Sequence, residues 1–252
     1  MEEQTVNTHT NKAKSYDIGR VDYPKAFFNY LYNEIGVTKD FTIADIGAGT
    51  GKITKRFLER GNKVFALEPD KDMMEILKGN LSSFTNCNPI DNTAEGTGLL
   101  SDSVDLIFCG NSYMWFDRSA VILEFQRIVR NCGKSQNIMI TRLAPSEDVY
   151  SDEFLEIDKK FKKSVLGKVP NNSPPFQESM YENKTFEYVV YQSFDEFLHG
   201  CLSASYAPNM EDDSFNEYCL ALKGLFDKYS IDGKIEAKFK LYCMAGCVEN
   251  LV

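Results

Sequence analysis

The stretch IADIGAGTGK, residues 43–52, sets three glycines at every second position directly after a short apolar run. Glycine adopts positive φ angles at little steric cost, but each glycine loses more conformational entropy on folding than other residues do. An ordinary turn does not require three of them. Glycine-rich turns between a strand and a helix hold phosphates, dinucleotides or adenosyl groups. The spacing of the glycines decides among these ligands.

The spacing disfavours two of the three ligands. A phosphate-binding loop needs Gly, four residues, then Gly-Lys-Ser/Thr. The residue five before Gly51 is Ile46, and Lys52 is followed by isoleucine. A dinucleotide fingerprint, Gly-x-Gly-x-x-Gly, would need its third glycine at position 52. The pattern present is Asp-x-Gly-x-Gly-x-Gly over residues 45–51. An acidic residue, Glu68, ends the next predicted strand, where its carboxylate can accept from both hydroxyls of a ribose.

The sequence around this turn alternates between strand and helix patterns up to residue 143. Strands are predicted from apolar runs, and helices from apolar residues at helical spacing that end near glycine. The strands lie at 41–46, 63–68, 103–110 and 136–143, and the helices at 52–60, 71–80 and 121–129. This alternation predicts an α/β fold with a doubly wound, mostly parallel sheet. Ligands of such sheets bind at the carboxyl ends of the strands.

Beyond residue 144 the rhythm changes. Helical patterning covers 151–164, 193–204 and 214–229, and 185–192 is predicted to be extended. Residues 234–246 alternate apolar and polar side chains, which is typical of a half-exposed antiparallel strand. We expect a single domain with five parts: a flexible tail at 1–15, an N-terminal helical lid at 16–40, a cofactor-binding core at 41–143, a helical cap over the acceptor pocket at 144–233, and a closing strand at 234–246.

Composition and charge narrow the class of partner. The chain has 252 residues and a net charge of −9, which disfavours nucleic acid as a partner. Its N-terminus is polar and acidic, and no apolar run reaches the roughly 18 residues of a membrane span. Seven scattered cysteines indicate a reducing, cytoplasmic compartment. With two histidines and no metal-ligand spacing, no metal is expected. We expect a monomer or homodimer that acts on a small molecule.

Three segments together resemble a known family. ADIGAGTGK (44–52), ALEPD (66–70) and AEGTGLLSDSVDLIFCGNSYMWFD (94–117) are similar to motifs of class I S-adenosylmethionine-dependent methyltransferases. The resemblance is closest to the small-molecule group that includes trans-aconitate and ubiquinone-biosynthesis-type enzymes. It implies a Rossmann-like methyltransferase fold with seven strands, an antiparallel C-terminal strand, and S-adenosyl-L-methionine as cofactor. YDIGRVDYP, SASYAP and GKIEAKFKLY extend it over residues 16–246, although Val21 and Met114 replace a proline and a histidine of the family.

The resemblance also implies where the cofactor binds. The backbone of the turn would approach the methionine portion, Asp45 would order the turn or meet the amino group through water, and Glu68 would bind the ribose diol. Other residues would flank the adenine, contact its amino edge from the end of a strand, lie beside the sulfonium, or close over the cofactor from the N-terminal region. The full set is Tyr16, Arg20, Asp45, Gly47, Ala48, Gly49, Gly51, Glu68, Pro69, Met73, Ala94, Glu95, Asn111 and Ser112.

The implied reaction is an in-line displacement of the methyl group by an oxygen, nitrogen or carbon of the acceptor. A general base is needed only when that nucleophile arrives protonated, and the candidates are Asp117, His199 and Tyr206. An anionic acceptor could be held by an arginine, with Arg20, Arg118 and Arg142 as options. Two other functions stay open: a non-catalytic sensor or partner subunit that binds S-adenosylmethionine or S-adenosylhomocysteine, and a nicotinamide oxidoreductase.

Overall fold

The computed structural model describes residues 12–130, 136–148, 150–163 and 170–252. Within them, the helices are α1 Ala13–Gly19, α2 Lys25–Asn33, α3 Lys52–Arg60, α4 Lys71–Asn80, α5 Arg118–Ile128, α6 Ser151–Phe161, α7 Phe194–Leu202 and α8 Phe215–Tyr229. The strands are β1 Thr42–Ile46, β2 Lys63–Leu67, β3 Cys87–Ile90, β4 Leu106–Gly110, β5 Ile138–Pro145, β6 Tyr181–Gln192 and β7 Ile235–Gly246.

The seven strands form one sheet in the order β3-β2-β1-β4-β5-β7-β6. Strand β1 pairs in parallel with β2 and β4, β2 with β3, and β4 with β5. The order reverses between β1 and β4, and this reversal is where ligands of doubly wound sheets bind. The glycine turn follows β1 directly, so it lies at this switch point.

Strand β7 runs against its neighbours. Asn137 N–H donates to Gly246 at 2.9 Å, whereas Ser146 N–H, farther along the chain, donates to Lys238 at 2.7 Å. The partner number falls as the residue number rises, which is the antiparallel register. Side-chain partners on β6 and β7 follow the same rule, with Glu187 opposite Lys240 and Tyr191 opposite Glu236. The predicted α/β fold, a mostly parallel seven-stranded sheet with an antiparallel C-terminal strand, is therefore confirmed.

Local sequence accounts for the elements whose bounds were predicted best. Helix α3 begins and ends as predicted because Gly51 and Gly61 cap its two ends in the left-handed conformation. Helix α4 begins at its predicted residue because the side chain of Asp70 accepts from the N–H groups of Asp72 and Met73, both at 3.0 Å.

Other boundaries differ from the prediction. Strand β4 begins at residue 106 and not at 103, and β6 begins at 181 and not at 185. Helix α5 begins at 118, three residues before the first apolar residue of its pattern, because Asp117 caps it by accepting from Ala120 N–H at 3.3 Å. Of the helices that the structure describes, none combines the length and apolar character that a membrane span needs.

The described residues fall into two compact units. Unit A comprises the described parts of Tyr23–Leu143, Lys168–Phe186 and Leu241–Val252, and unit B those of Met1–Asp22, Ala144–Gly167 and Glu187–Lys240. Each unit has its own buried apolar cluster. That of unit A includes Ile107, Val121 and Phe125, and that of unit B includes residues of α7 and α8 such as Leu222 and Phe226. The cap predicted over the acceptor pocket stays a prediction.

Helices α1 and α7 of unit B approach each other through two glycines. A Cβ atom built on Gly19 would lie 1.9 Å from the backbone nitrogen of Gly200. No real Cβ atom tolerates that distance to a backbone atom, so glycine at position 19 is a packing requirement. The exposed Gly224 in α8 differs, because a Cβ atom there would meet open space.

Gly19→Ala is expected to destabilise the protein, because the added methyl group forces the two helices apart. A cost of about 1–3 kcal/mol is typical of overpacking. Gly224→Ala is the matched control, and it should stabilise the protein by about 0.5–1 kcal/mol, since alanine restricts the unfolded chain more than glycine does. Urea unfolding of both variants measures the difference. Equal midpoints for the two variants would contradict the packing argument.

Candidate active site at the glycine turn

The glycine turn lies between β1 and α3, at the carboxyl end of β1. Gly47, Gly49 and Gly51 all have positive φ angles, of 73°, 58° and 84°. Packing adds a second requirement at two of these positions. A Cβ atom on Gly47 would lie 2.5 Å from Cβ of Ser112, and one on Gly51 would lie 2.9 Å from Cδ1 of Leu81. The turn therefore needs its glycines both for backbone conformation and for close packing.

Four of the five amide groups of the turn are committed within the protein. Gly47 and Ala48 donate to the carbonyl of Leu67 at 2.9 and 2.8 Å, and Gly51 donates to Ala48 at 3.0 Å. Gly49 N–H donates to Oε2 of Glu68 at 2.7 Å. A phosphate-binding loop works by pointing free amide groups at the anion. These four amide groups are already paired, so this turn is not a phosphate cradle.

Glu68 follows β2 directly and is buried, with 8% of its surface exposed. Its second carboxylate oxygen, Oε1, accepts from Asp70 N–H at 2.9 Å. Burial raises the pKa of Glu68 to about 7, and the two backbone hydrogen bonds act in the opposite direction. An ionised carboxylate offers about four acceptor positions. Two of these remain for hydroxyl donors of a ligand.

Asp45, in β1 two residues before the turn, is fully buried. Thr54 Oγ1 donates to its Oδ2 at 2.5 Å, whereas its Oδ1 has no hydrogen-bond partner among the described residues. Burial raises the pKa of Asp45 to about 7, and the nearby negative charge of Glu68 adds to the effect. The sequence analysis missed Thr54. The only signal for it was a polar residue on the first turn of α3.

The residues predicted around the adenine lie on two elements of unit A. Pro69 is half-buried, and Met73 is buried on α4. Ala94 and Glu95 do not end a strand as predicted, because β3 ends at residue 90 and the two residues form a 3₁₀ turn. Ala94 packs into the apolar cluster of unit A, and Glu95 Oε1 accepts from Asp117 N–H at 2.9 Å.

Asn111 and Ser112 follow β4 and tie its end to neighbouring strands. Asn111 has a φ angle of 57°, a conformation that asparagine tolerates better than most residues. Its Oδ1 accepts from Leu143 N–H at 2.7 Å. Ser112 is buried, and its hydroxyl donates to the carbonyl of Ile46 at 2.6 Å. Ser112 therefore adjoins the glycine turn, whereas Asn111 is held against β5.

The three candidate bases already have partners within the protein. Asp117 is the cap of α5. In unit B, His199 Nδ1 lies 3.0 Å from the Ser15 hydroxyl, and its Nε2 lies 3.5 Å from Oδ1 of Asp195. Burial, together with a hydrogen bond to Asp158, raises the pKa of Tyr206 well above its usual value, which disfavours a phenolate. These contacts do not identify any of the three residues as a general base.

Tyr16 and Arg20, the predicted lid residues, also lie in unit B. The guanidinium carbon of Arg20 is 5.1 Å from the centre of the Tyr16 ring, a cation–π contact. Their contact with the cofactor stays a prediction.

Arg118, one of the arginines considered for holding an acceptor, has a structural role. Its guanidinium donates to the carbonyls of Ser173 at 2.6 Å and Pro174 at 3.0 Å. The guanidinium carbon also lies 5.6 Å from the centre of the Tyr113 ring. These contacts fasten the segment after residue 170 to the start of α5. Arg142, in contrast, is exposed on β5. Within the described ranges no group of three or more metal-binding side chains comes together.

Solved structures share this architecture. A protein of Anaeromyxobacter dehalogenans described as a type II methyltransferase superposes with a TM-score of 0.62 at 18% identity, over 91% of this chain and 98% of its own. Phosphoethanolamine N-methyltransferase 2 of Haemonchus contortus, solved with S-adenosylhomocysteine and phosphomonomethylethanolamine, superposes with a TM-score of 0.51 at 13% identity, over 93% and 56%. At these identities the likeness concerns the fold. The fold is therefore one that proteins described as methyltransferases share.

Part of the sequence also matches one family. Residues 44–135 match the methyltransferase domain family. An uncharacterized methyltransferase of Schizosaccharomyces pombe is 31% identical over 120 residues, which are 47% of this chain and 47% of the relative. The chain spans about half the length of the curated relatives it matches. This match supports the predicted methyltransferase family and the S-adenosylmethionine that the family implies, whereas the small-molecule group stays a prediction.

Because Asp45 and Glu68 are buried, we expect the ligand-free protein to lose stability as the pH rises. The pKa values of Asp45 and Glu68 rise from 3.8 and 4.5 to about 7, so the folded state holds these protons more tightly than the unfolded chain. This contribution to stability is greatest below about pH 4 and is lost as the pH rises to about 7, by at most about 1.4 kcal/mol per pH unit for each proton. Urea unfolding across this range measures the slope.

Asp45→Asn is the variant that assigns the slope, because asparagine does not titrate. It should flatten the dependence of unfolding free energy on pH between about pH 5 and 7, whatever its effect on absolute stability. An exposed acid of the same unit, Glu75, supplies the control variant Glu75→Gln, which should keep the wild-type slope. A slope that Asp45→Asn leaves unchanged would show that this carboxyl group is ionised throughout.

Proposed function

We propose that the protein transfers the methyl group of S-adenosylmethionine to an oxygen, nitrogen or carbon of a small-molecule acceptor. The observation that carries the proposal is the pair of buried carboxyl groups on either side of the glycine turn. The methyltransferase fold, the family match and the acidic chain support it. Methyl transfer by this chain and a small acceptor go beyond the family match, and the transfer experiment below tests both.

The residues present fit this cofactor. Asp45 Oδ1 is buried and lacks a partner among the described residues, so it suits a ligand that brings a donor, such as an ammonium group directly or through water. Glu68 keeps free acceptor positions for ribose hydroxyls. Both groups favour a cationic ligand, because a nearby positive charge stabilises the ionised form of each. The paired amide groups of the turn disfavour a phosphate in the same place.

S-adenosylmethionine, when bound, supplies an electrophilic methyl group on a sulfonium. The protein then has to bind, orient and exclude water, and positioning alone supplies a large part of such a rate enhancement. The turn fixes the position of its own carbonyl groups, and Glu68 fixes the turn. Asn111 and Ser112 hold the end of β4 against β5 and β1, so the predicted location of the methyl group is rigid.

Transfer of tritiated methyl from labelled cofactor tests the activity and the acceptor class together. The protein is incubated with an extract, and the label is then counted separately in the dialysable, protein and nucleic acid fractions. Label in dialysable molecules other than the cofactor itself is the expected result. Label in a macromolecular fraction would overturn the small-molecule acceptor. Cofactor binding without labelled product in any fraction would identify a sensor or partner subunit instead.

Glu68→Gln is expected to weaken binding of S-adenosylhomocysteine by about 10- to 100-fold, because a charge-assisted hydrogen bond is worth about 1.5–3 kcal/mol. Calorimetric titration measures the loss, and Glu75→Gln on the exposed face of α4 is the control with unchanged affinity. A derivative of S-adenosylhomocysteine without the 3′-hydroxyl assigns the contact. The wild type should lose affinity for it, and Glu68→Gln should lose much less.

Equal losses for the wild type and Glu68→Gln with this derivative would place the ribose elsewhere. Glu68 would then serve only to hold Gly49. Stabilisation of the protein by nicotinamide dinucleotides and not by S-adenosylhomocysteine, measured as a shift in melting temperature, would overturn the cofactor assignment and favour an oxidoreductase.

A further inference from the structure

We infer that the outer edge of β6 is a dimer interface, at which the strand pairs with β6 of a second copy of this chain. The interface consists of residues 187–192, the part of β6 that lies in unit B. Strand β6 is the last strand of the sheet and follows β7 in the strand order. In an antiparallel pair every second residue directs its N–H and carbonyl groups away from the neighbouring strand. Half of this stretch therefore offers its backbone to a further strand.

The outward backbone groups of this edge are not used within the described parts of the chain. Among the described residues, no backbone hydrogen bond made outside the helices and strands involves residues 187–192. A long row of such unpaired groups is a template for pairing with another chain. The partner that it accepts is an extended strand, because only a strand presents N–H and carbonyl groups at the same spacing.

The two edges of the sheet differ in how they are protected. At the opposite edge, β3 has four residues and contains Pro89, which lacks an N–H group. Short strands and prolines are common ways of preventing edge pairing. Strand β6 has twelve residues without proline or glycine. Its one lysine, Lys184, lies in the part that belongs to unit A, where its ammonium group donates to Glu34. Residues 187–192 therefore have none of these protections.

The side chains of this edge also favour strand pairing. The contacts of Glu187 with Lys240, at 2.8 Å, and of Tyr191 with Glu236, at 3.1 Å, fix the register of β6 against β7. Glu187 is the one charged residue among residues 187–192, and Lys240 balances its charge. On the same face as Glu187, Val189 is 45% exposed and Tyr191 is 60% exposed. Exposed β-branched and aromatic residues without a net charge are typical of strands that add to a sheet.

The residue pattern is complementary to itself, which selects a second copy as the partner. Two identical antiparallel strands are related by a two-fold axis, so their residues pair symmetrically about one central residue. Centring the pair on Val189 sets the two Val189 side chains opposite each other. It also sets each Tyr191 opposite Glu187 of the other copy, a neutral group opposite a carboxylate. No like charges meet in this register, and its centre is apolar.

The neighbouring registers fit less well. Centring one residue earlier would set the carboxylate of Glu187 opposite the apolar Val189, and centring two residues earlier would set two such carboxylates against each other. Centring on Val190 would set Glu187 opposite Ser193. The N–H and hydroxyl groups of Ser193 already bind the carboxylate of Glu196, at 2.8 and 2.9 Å, so two carboxylates would come close together. The charges therefore select Val189 as the central residue.

Sedimentation equilibrium of the full chain without cofactor tests the dimer. The wild type should have twice the monomer mass of 28.7 kDa at about 100 μM, where a dimer of micromolar affinity is largely formed. Val189→Lys should be a monomer, because two ammonium groups would face each other across the axis. Leu220→Lys is the matched control and should stay a dimer, since Leu220 is a 71% exposed apolar residue on α8 of the same unit. Circular dichroism checks that both variants are folded.

Cysteine cross-linking tests the register. Val189→Cys should form a disulfide between two copies under mild oxidation, because directly opposite Cα atoms lie about 4.5–5.5 Å apart. Tyr191→Cys is the control, because its counterpart in the other copy would be four residues away along the strand, about 13 Å. It should cross-link no more than the wild type, whose seven native cysteines set the background.

A monomeric wild type would overturn the inference. A dimer that Val189→Lys leaves intact and Val189→Cys does not cross-link would overturn it too, because the copies would then meet through another surface. Cross-linking of Tyr191→Cys in place of Val189→Cys would contradict the register. None of these results bears on methyl transfer, so the proposed function and this inference stand or fall separately.

Discussion

The hydrogen bond from Gly49 N–H to the buried carboxylate of Glu68 joins the turn after β1 to the end of β2. The rest of the site depends on it, because the turn carries three left-handed glycines and the carboxylate of Glu68 binds one of its amide groups directly. The bond requires that Glu68 be buried, which disfavours its charged form. The amide group of Asp70 also donates to this carboxylate, and the side chain of Asp70 caps the start of α4. One carboxylate thus fixes a turn and the start of a helix.

Asp45, on β1 two residues before the glycine turn, is a second buried carboxyl group and makes the site electrostatically unusual. Two carboxyl groups share a region without a compensating basic residue among their named partners. The charge of Glu68 raises the cost of ionising Asp45, and the charges of Asp70 and Asp91 raise that of ionising Glu68. A cationic ligand relieves this cost, whereas an anionic ligand increases it. The arrangement therefore selects the sign of the ligand's charge as well as its shape. It also makes the ligand-free site less stable than a neutral one would be.

Contacts far apart in sequence complete the site around this pair. Arg118 fastens the segment after residue 170, Glu95 binds the amide that begins α5, and Tyr23 meets Thr141 across 118 residues. Each of these groups is polar, and each could have faced solvent. Their pairing depends on which strand ends the sheet brings together. A list of polar residues therefore could not separate structural groups from ligand-binding ones.

The sequence by itself determined the α/β fold, the bounds of α3 and α4, the position of the cofactor turn and the class of cofactor. Glycine spacing, apolar periodicity and helix caps act over a few residues, so they can be read from the chain directly. Only the tertiary structure decided that β3 ends at residue 90, that Thr54 meets Asp45, and that Gly47 must be glycine because of Ser112. These outcomes depend on packing between distant segments, which local pattern does not encode.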